Sequence, residues 1–397
     1  MKNLREIVPP VAREGALTGL RVLDLSRLVA GNMATHILAD HGAEVVKVEP
    51  PKRGDDLRNW RVDGVEVFWE VYARGKLSVE LDFRSGEGRE LLLAMAADAD
   101  VLVENFVPGK MESWGLGPDV LHGINPQLIM LRVSGWGQTG PMANAPGFGT
   151  LIEARSGWAH LNGYADGPPT LPPLALADMI AGLYGANAVM LALRHIEIAK
   201  GAGQVIDLSL LDPLLSIIGA EAAQMSVSGS PTMRSGNQST HAAPRNIYAT
   251  QDGGWVALSG SMQAMAERVF TAIGRSDLIK DARFATNDDR VRNRVELDQI
   301  INDWTGRRDK DAVLQVFRDA GVTAGPVHSM AEVVTDPHVV QRGSLVSLNT
   351  SSATLAMHDV VARLSASPGA IAGPAPSLGQ HTRQILDPYL ERLECRA

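Results

Sequence analysis

The chain has 397 residues, which exceeds the usual size of one domain, so two domains are the first expectation. A net charge of −8 and a pI near 5.7 imply no broad basic surface, which argues against a nucleic-acid partner. Cys395 is the only cysteine, which excludes a disulfide framework and a cysteine metal site and favours a reducing cytoplasm.

The first predicted elements form a βαβ unit. Residues 20–25 (LRVLDL) and 45–48 (VVKV) are apolar strands, and the helical run from Met33 to Asp40 lies between them. This order implies a parallel sheet. No GxGxxG or GxxxxGK[ST] follows the first strand, so a nicotinamide oxidoreductase is not favoured.

Further strands are predicted at residues 76–81, 101–103 and 128–133, with a helix at 88–97. Two of these strands run directly into polar or glycine-rich turns, at Asn105-Phe106 and at residues 134–140. Doubly wound sheets bind their ligands beyond the carboxyl ends of the strands, so we expect a ligand near these turns.

A single carboxylate stands in the most apolar stretch of the chain. Asp178 is the only charged residue in residues 171–193, whose pattern predicts a buried helix. Two prolines, two glycines and the central aspartate argue against a membrane span, although the length would permit one. A buried aspartate needs a partner, a helix end to cap, or chemistry to perform.

The second half of the chain contains a change of composition. Residues 226–245 are polar and rich in glycine, serine and proline, which indicates a linker. Residues 246–325 then form a fresh unit of strands and amphipathic helices, and residues 326–397 hold short strands and a final helix.

Eight strings, in order from about residue 17 to 383, resemble the class III coenzyme A transferases, the family of formyl-CoA transferase and carnitine CoA-transferase. They are LTGLRVLDLSRLVAG, GAEVVKVEPP, ARGKLSVELD, VLVENFVPG, GWGQTGP, the Asp178 helix, GQVID and APSLGQHT.

The resemblance implies an α/β fold in an interlocked homodimer. A Rossmann-like large domain with a parallel sheet would be built from both chain ends, and a smaller α+β domain would be inserted between them. Residues 1–225 and 326–397 would form the large domain, and 246–325 the small one.

The resemblance also implies the site. The aspartate at the position of Asp178 is the family's nucleophile, so we expect a CoA transferase that works through a mixed anhydride and an aspartyl-CoA thioester. The positions implied near CoA include Lys76, the expected phosphate partner, and Asn105, which could hold the pantetheine or the reacting carbonyl. The others are Arg27, Val29, Ala30 and Phe106, and Arg58 is a plausible second cation. No metal and no permanently bound cofactor are expected, because CoA and its esters are substrates.

The chain departs from the formyl-CoA transferase pattern. Arg27 replaces a histidine, Val29 a glutamine, Ser113 an arginine and Ser134 a lysine. The glycine-rich lid has no GGGG equivalent, and residues 236–243 or 259–261 are possible substitutes. Specificity for oxalate or formate is therefore not supported, and a short dicarboxylyl-CoA is the expected donor. On the basis of their charge alone, Arg155, Arg234 and Arg245 are candidates to bind the distal carboxylate of the substrate.

Two alternatives stay open. An α-methylacyl-CoA racemase on the same fold needs bases on two faces of the α-carbon. Its histidine is replaced here by Phe148, and neither His160 nor His241 lies at the matching position. A non-catalytic acyl-CoA binder is the second alternative, and Asp178→Ala would leave such a protein functional.

Overall fold

The computed structural model describes residues 4–10 and 15–395. The chain divides into two compact units. The first takes the described residues of Met1–Trp158, Leu171–Ser226 and Val334–Ala397. The second takes Ala159–Thr170 and Val227–Val333.

The strands of the described residues are β1 (Arg5–Glu6), β2 (Arg21–Asp24), β3 (Glu44–Glu49), β4 (Leu77–Glu80), β5 (Val101–Glu104), β6 (Ile129–Ser134), β7 (Val205–Ser209), β8 (Arg245–Ala249), β9 (Trp255–Ser259), β10 (Ala324–Pro326), β11 (Leu345–Asn349) and β12 (Thr354–His358).

The helices are α1 (Ala30–Asp40), α2 (Val67–Tyr72), α3 (Gly86–Ala97), α4 (Lys110–Ser113), α5 (Pro118–Ile124), α6 (Gly149–Arg155), α7 (Trp158–Leu161), α8 (Leu176–Ala199), α9 (Leu211–Ile217), α10 (Gly219–Ser228), α11 (Gln263–Ala272), α12 (Asn287–Arg292), α13 (Arg294–Thr305), α14 (Lys310–Asp319), α15 (Met330–Val333), α16 (Pro337–Arg342) and α17 (Thr382–Glu394). Short 3-10 helices cover Asp56–Asn59 and Ser276–Lys280.

A six-stranded parallel sheet forms the centre of the first unit, in the order β4-β3-β2-β5-β6-β7. Adjacent residues of β2 point to opposite faces, so Val22 packs in the core with α1 and α8, and Leu23 packs in the core with α3 and α17. Both faces are covered, which explains why the strands read as continuous apolar runs.

The sheet order reverses between β2 and β5. After β2 the chain adds β3 and β4 on one side, and it then returns to place β5 on the other side. The carboxyl ends of β2 and β5 therefore lie side by side, where doubly wound sheets form a ligand crevice. Arg27 and Asn105, which follow these two strands, are brought together at this point.

Residues from both chain ends contribute to the first unit, as the resemblance implies, but only the amino-terminal part supplies strands of its parallel sheet. All of its strands come from residues 21–209, and β11 and β12 pair with β1 in a separate three-stranded sheet. The carboxyl-terminal part instead adds α17, whose Leu386 and Tyr389 pack into the core on one face of the parallel sheet. The short apolar runs of the tail carry no signal that distinguishes one sheet from another.

Small residues let α8 lie close against α1. A Cβ at Gly182 would approach Met33 Cβ of α1 to 2.6 Å, and a Cβ at Gly185 would approach Ala34 Cβ of α1 to 3.5 Å and Leu131 Cδ2 of β6 to 3.0 Å. The three-residue spacing of the two glycines thus marks the face of α8 that is packed closely. By length and composition α8 could cross a membrane, a test that the core helix of a globular protein also passes.

The second unit contains the antiparallel sheet β8-β9-β10. Its core is formed by side chains of this sheet and of α11, α13 and α14, including Tyr248, Phe270 and Phe317. Residues 227–245, predicted as a linker, belong to this unit, and so does Ala159–Thr170, predicted within the large domain. The two segments are hydrogen-bonded to each other, for example from Gly236 N to Gly163 O at 2.9 Å. A packed loop and a linker have the same composition, which explains the error.

Candidate active site

Asp178 is the third residue of α8, in its first turn. The helix begins at Leu176, and the N-cap position is Ala175, so Asp178 is not the N-cap residue. The amide of Ala177 donates to Glu153 Oε1 at 3.1 Å. Because another carboxylate binds this helix end, capping does not account for Asp178.

The Asp178 carboxyl group has a raised pKa of about 6. Burial contributes most, because it disfavours the charged form, and the negative charge of Glu153 adds to the effect. Near neutral pH the group is mostly ionised, yet little solvent stabilises its charge. A carboxylate in this state is suited to act as a nucleophile.

The Asp178 cavity, of about 390 Å³, opens above the carboxyl ends of β2, β5 and β6. Besides Asp178 it is lined by residues of the loops that follow these strands and by residues 143–148. The expectation of a ligand site near the turns at residues 105–106 and 134–140 agrees with this position. The lining residues used below are Arg27, Asp56, Asn105, Phe106 and Phe148.

Glycines shape the wall of this cavity. A Cβ at Gly149 would lie 2.3 Å from Asp178 Oδ2, so the backbone of α6 approaches the carboxylate directly. A Cβ at Gly135 would lie 2.5 Å from the Cα of Gly147, where two loops of the wall cross. Any side chain at these positions would displace the wall or the carboxylate.

Arg27, Asn105 and Phe106 lie together at the rim of the cavity. Asn105 binds the backbone of Arg27 twice, accepting from its N–H at 2.8 Å and donating to its carbonyl at 2.7 Å. The Arg27 guanidinium lies 5.4 Å from the centroid of the Phe106 ring, and its side chain is 44% exposed. Both polar atoms of Asn105 thus hold the Arg27 loop, and each keeps one further hydrogen-bonding position, so a role toward the pantetheine or the reacting carbonyl stays a prediction.

The assignment of Lys76 as a phosphate partner does not agree with the structure. Its Nζ is fully buried, and it donates to Asp24 Oδ2 at 3.1 Å, to Asn32 Oδ1 at 2.8 Å and to Thr35 Oγ1 at 2.7 Å. Burial lowers the pKa of Lys76 to about 8, despite the nearby Asp24 carboxylate. A phosphate has no access to this nitrogen.

Arg58 is also committed to the protein interior. Its Nε and Nη2 donate to Glu49 at 2.8 and 2.9 Å, and its guanidinium lies 3.6 Å from the centroid of the Trp69 ring. Val29 and Ala30 are buried at the start of α1, and of the two only Ala30 lines the Asp178 cavity.

The three arginines proposed for a distal carboxylate have different surroundings. Arg155 is exposed at the end of α6, 5.5 Å from the ring of Trp136. Arg234 donates to the carbonyls of His160 and Gly167, so it holds a loop of the second unit. Arg245 begins β8 in the second unit. None of the three lines the Asp178 cavity.

Sequence reasoning missed Glu153 and Gly149. Glu153 is 2% exposed and lies on α6 beside the first turn of α8. The sequence did contain a signal. Glu153 directly follows the apolar pair Leu151-Ile152, as Asp178 directly follows the apolar stretch LALA at residues 174–177. Among the residues that the structure describes, no group of three or more His, Cys, Asp or Glu side chains could hold a metal ion.

Residues 17–382 match the model of CoA-transferase family III. The chain belongs to this family. The transferase is 38% identical over 378 residues to succinyl-CoA–D-citramalate CoA-transferase of Chloroflexus aurantiacus, covering 94% of each chain. It is 34% identical over 386 residues to succinate–glutarate CoA-transferase of Agrobacterium fabrum, covering 94% of this chain and 96% of that one.

A solved structure has the same fold. The CAIB/BAIF family protein from Brucella suis superposes with a TM-score of 0.84 at 33% identity, covering 94% of this chain and 99% of that one. The predictions of an α/β fold with a parallel sheet and of a CoA transferase are therefore confirmed.

The racemase alternative is not supported. Phe148, which lies where the racemases have a histidine, lines the Asp178 cavity and is 66% exposed. Its ring carries no proton, so it supplies no second base. The relatives named above are transferases, which confirms the prediction of CoA transfer over racemisation. A non-catalytic binder is excluded on the same ground.

Proposed function

We propose that this transferase moves CoA from a short dicarboxylyl-CoA to a carboxylic acid, with Asp178 as the nucleophile. The observation that carries the proposal is the Asp178 carboxylate itself, partly buried in the wall of a cavity and paired with no described cation. The names of the relatives support succinyl-CoA as the donor.

The chemistry needs no net proton transfer. The Asp178 carboxylate attacks the thioester carbonyl, the C–S bond breaks, and CoA leaves as a thiolate from a mixed anhydride. The thiolate then attacks the Asp178 carbonyl, forming the aspartyl-CoA thioester and releasing the donor acid as a carboxylate. The acceptor carboxylate repeats both steps in reverse.

Water would hydrolyse both intermediates, so the energy of the thioester is kept only if the site is dry. Apolar and glycine residues form much of the wall around Asp178, including Leu28, Ala145, Phe148 and Leu210. This part of the wall offers water few hydrogen-bond partners and supplies no competing nucleophile. It supports group transfer over hydrolysis.

A second cavity adjoins the first and supports a place for CoA. It measures about 230 Å³ and shares Arg27 and Phe106 with the Asp178 cavity. Phe83 and Trp114 line it, and the exposed Lys110 lies at its edge. We propose that the nucleotide end of CoA binds there, with Arg27 and Lys110 as phosphate partners in place of Lys76 and Arg58.

The test is an exchange assay. Succinyl-CoA is incubated with a panel of free dicarboxylic acids, including citramalate, malate and glutarate, and the CoA esters are followed by mass spectrometry. We expect new esters with wild type and none above background with Asp178→Ala. Transfer that survives the substitution would contradict the mechanism. Exchange of an α-proton with deuterated solvent, without acyl exchange, would favour the racemase.

We also propose a homodimer, interlocked as in the family. An exposed apolar surface on α8 and α9 supports it, because monomers rarely expose large apolar patches. This surface includes Leu183, Leu191, Ile198, Leu215 and Ile217, and Leu191 is 68% exposed. Sedimentation velocity should give a dimer for wild type and a smaller species for Leu191→Asp. A monomeric wild-type protein would contradict the proposal. The cytoplasmic location stays a prediction.

A further inference from the structure

One face of α6 is directed at the first turn of α8. Gly149 and Glu153 are four residues apart, so they lie on the same side of the helix. The backbone of Gly149 lies against the Asp178 carboxylate. Glu153 Oε1 accepts a hydrogen bond from the amide of Ala177, the residue before Asp178. One contact from this helix thus reaches the carboxylate of Asp178, and the other reaches the backbone of the residue before it.

Glu153 brings a negative charge to this point. It is 2% exposed, and the structure shows no described lysine, arginine or histidine within salt-bridge distance of its carboxylate. A buried carboxylate without a cation is costly, so its retention beside a second carboxylate calls for a reason. Its hydrogen bond to Ala177 satisfies one acceptor but would be made equally by an uncharged glutamine.

The other charged groups near Asp178 do not explain this arrangement. Arg27 and Asp56 line the same cavity and have opposite signs. The remaining charged groups on elements that pack against α8 do not line the cavity. They are His36 and Asp40 on α1, Arg155 on α6, Arg132 on β6, Asp207 on β7 and Asp212 on α9. Glu153 is therefore the charged neighbour to consider.

The charge of Asp178 changes during the proposed reaction. The free enzyme carries a carboxylate, whereas the anhydride and the thioester at Asp178 are uncharged. A negative neighbour raises the free energy of the charged form and leaves the uncharged forms almost unaffected. It therefore shifts the balance toward the covalent enzyme.

We propose that Glu153 is a positioning residue that fixes the first turn of α8 and, by its charge, favours the covalent forms of Asp178 over the free carboxylate. This inference rests on the proposed role of Asp178 as the nucleophile. In the balanced reaction, the Asp178 carboxylate and acyl-CoA give the aspartyl-CoA thioester and the free acid as its carboxylate. The effect of Glu153 on the pKa of Asp178 has the same physical origin.

The test is Glu153→Gln, which keeps the acceptor for Ala177 N–H and removes the charge. Glu70→Gln is the matched control, because Glu70 is also a buried glutamate in the first unit but lies on α2, outside the Asp178 cavity. For each protein, kcat/KM is measured against pH. The fraction carrying a CoA adduct is measured by intact mass spectrometry at a fixed ratio of succinyl-CoA to succinate.

With Glu153→Gln we expect the acid limb of kcat/KM to move down by about one pH unit and the adduct fraction to fall up to tenfold, while the control changes neither. An unchanged acid limb and adduct fraction, even with a lower Tm, would overturn the inference. If Glu153→Gln does not fold, the test is the kcat/KM profile of the wild-type enzyme. An acid limb near 3.8, the ordinary pKa of an aspartate, would also overturn the inference. Absence of any adduct at Asp178 in wild type would instead refute the proposed function.

Discussion

The contact between Gly149 and Asp178 makes a sharp prediction. In Gly149→Ala the new Cβ would lie 2.3 Å from Asp178 Oδ2, whereas ordinary van der Waals contact begins near 3.4 Å. The carboxylate must therefore move by about 1 Å, and a misplacement of this size can lower a rate by about 100-fold. We expect kcat to fall by about that factor, equivalent to about 2.7 kcal/mol of activation free energy.

Stability should fall by no more than about 2 kcal/mol in the same variant. Alanine is favoured over glycine in a helix by up to about 1 kcal/mol, which offsets part of an overpacking cost of about 1–3 kcal/mol. Gly86→Ala is the matched control, because Gly86 is likewise the first residue of a helix and a Cβ there meets nothing within 4 Å.

The assay is the initial rate of CoA-ester exchange from succinyl-CoA, with Tm measured by calorimetry. Gly86→Ala should retain wild-type activity. If Gly149→Ala stays within about threefold of wild type, the position of the Asp178 carboxylate does not govern the rate, and the reasoning fails.

Three further predictions follow from the site. The proposed nucleophile is the carboxylate form of Asp178, whose pKa is raised to about 6, so kcat/KM should fall as pH decreases through about 6. A flat profile down to pH 5 would contradict this. Lys76→Met should lower the free energy of unfolding by about 3 kcal/mol in chemical denaturation, because it leaves a buried carboxylate with less compensation. A raised KM for succinyl-CoA at unchanged stability would instead return Lys76 to the role of phosphate partner. Arg27→Gln should raise KM for succinyl-CoA about tenfold with little change in kcat, whereas Arg392→Gln, on the exposed side of α17, should change neither.

The sequence allowed the parallel sheet to be predicted, and it singled out Asp178 as the candidate nucleophile, a role that stays a prediction. Continuous apolar strands alternating with helices indicate such a sheet whatever the details of packing. Asp178 could be found because one charge in a long apolar stretch needs an explanation that depends on no other element. The resemblance to the transferases then supplied its role.

The buried cations could not be assigned as reliably. Lys76 was expected to bind phosphate because of the resemblance, and Arg58 because a second cation would suit the CoA phosphates. Their partners Asp24 and Glu49 lie on other strands, and only the folded sheet brings these groups together. A partial signal was present, since Asp24 and Lys47 interrupt neighbouring apolar strands with opposite charges, as buried ion pairs do.

The site also depends on contacts that composition does not encode. Gly149 and Glu153 reach Asp178 from a different helix, and their spacing in α6 acquires meaning only when α6 lies against α8. The same limit applies to residues 227–245, whose hydrogen bonds to Ala159–Thr170 cross about seventy positions of the chain.

The central claim is that Asp178 becomes acylated during transfer. Hydroxylamine reacts with anhydrides and thioesters, so wild-type enzyme incubated with succinyl-CoA and hydroxylamine should carry a hydroxamate, which peptide mass spectrometry can locate. We predict modification at Asp178, dependent on succinyl-CoA and absent from Asp178→Ala. Modification at another residue, or none in an enzyme that still transfers CoA, would contradict the account.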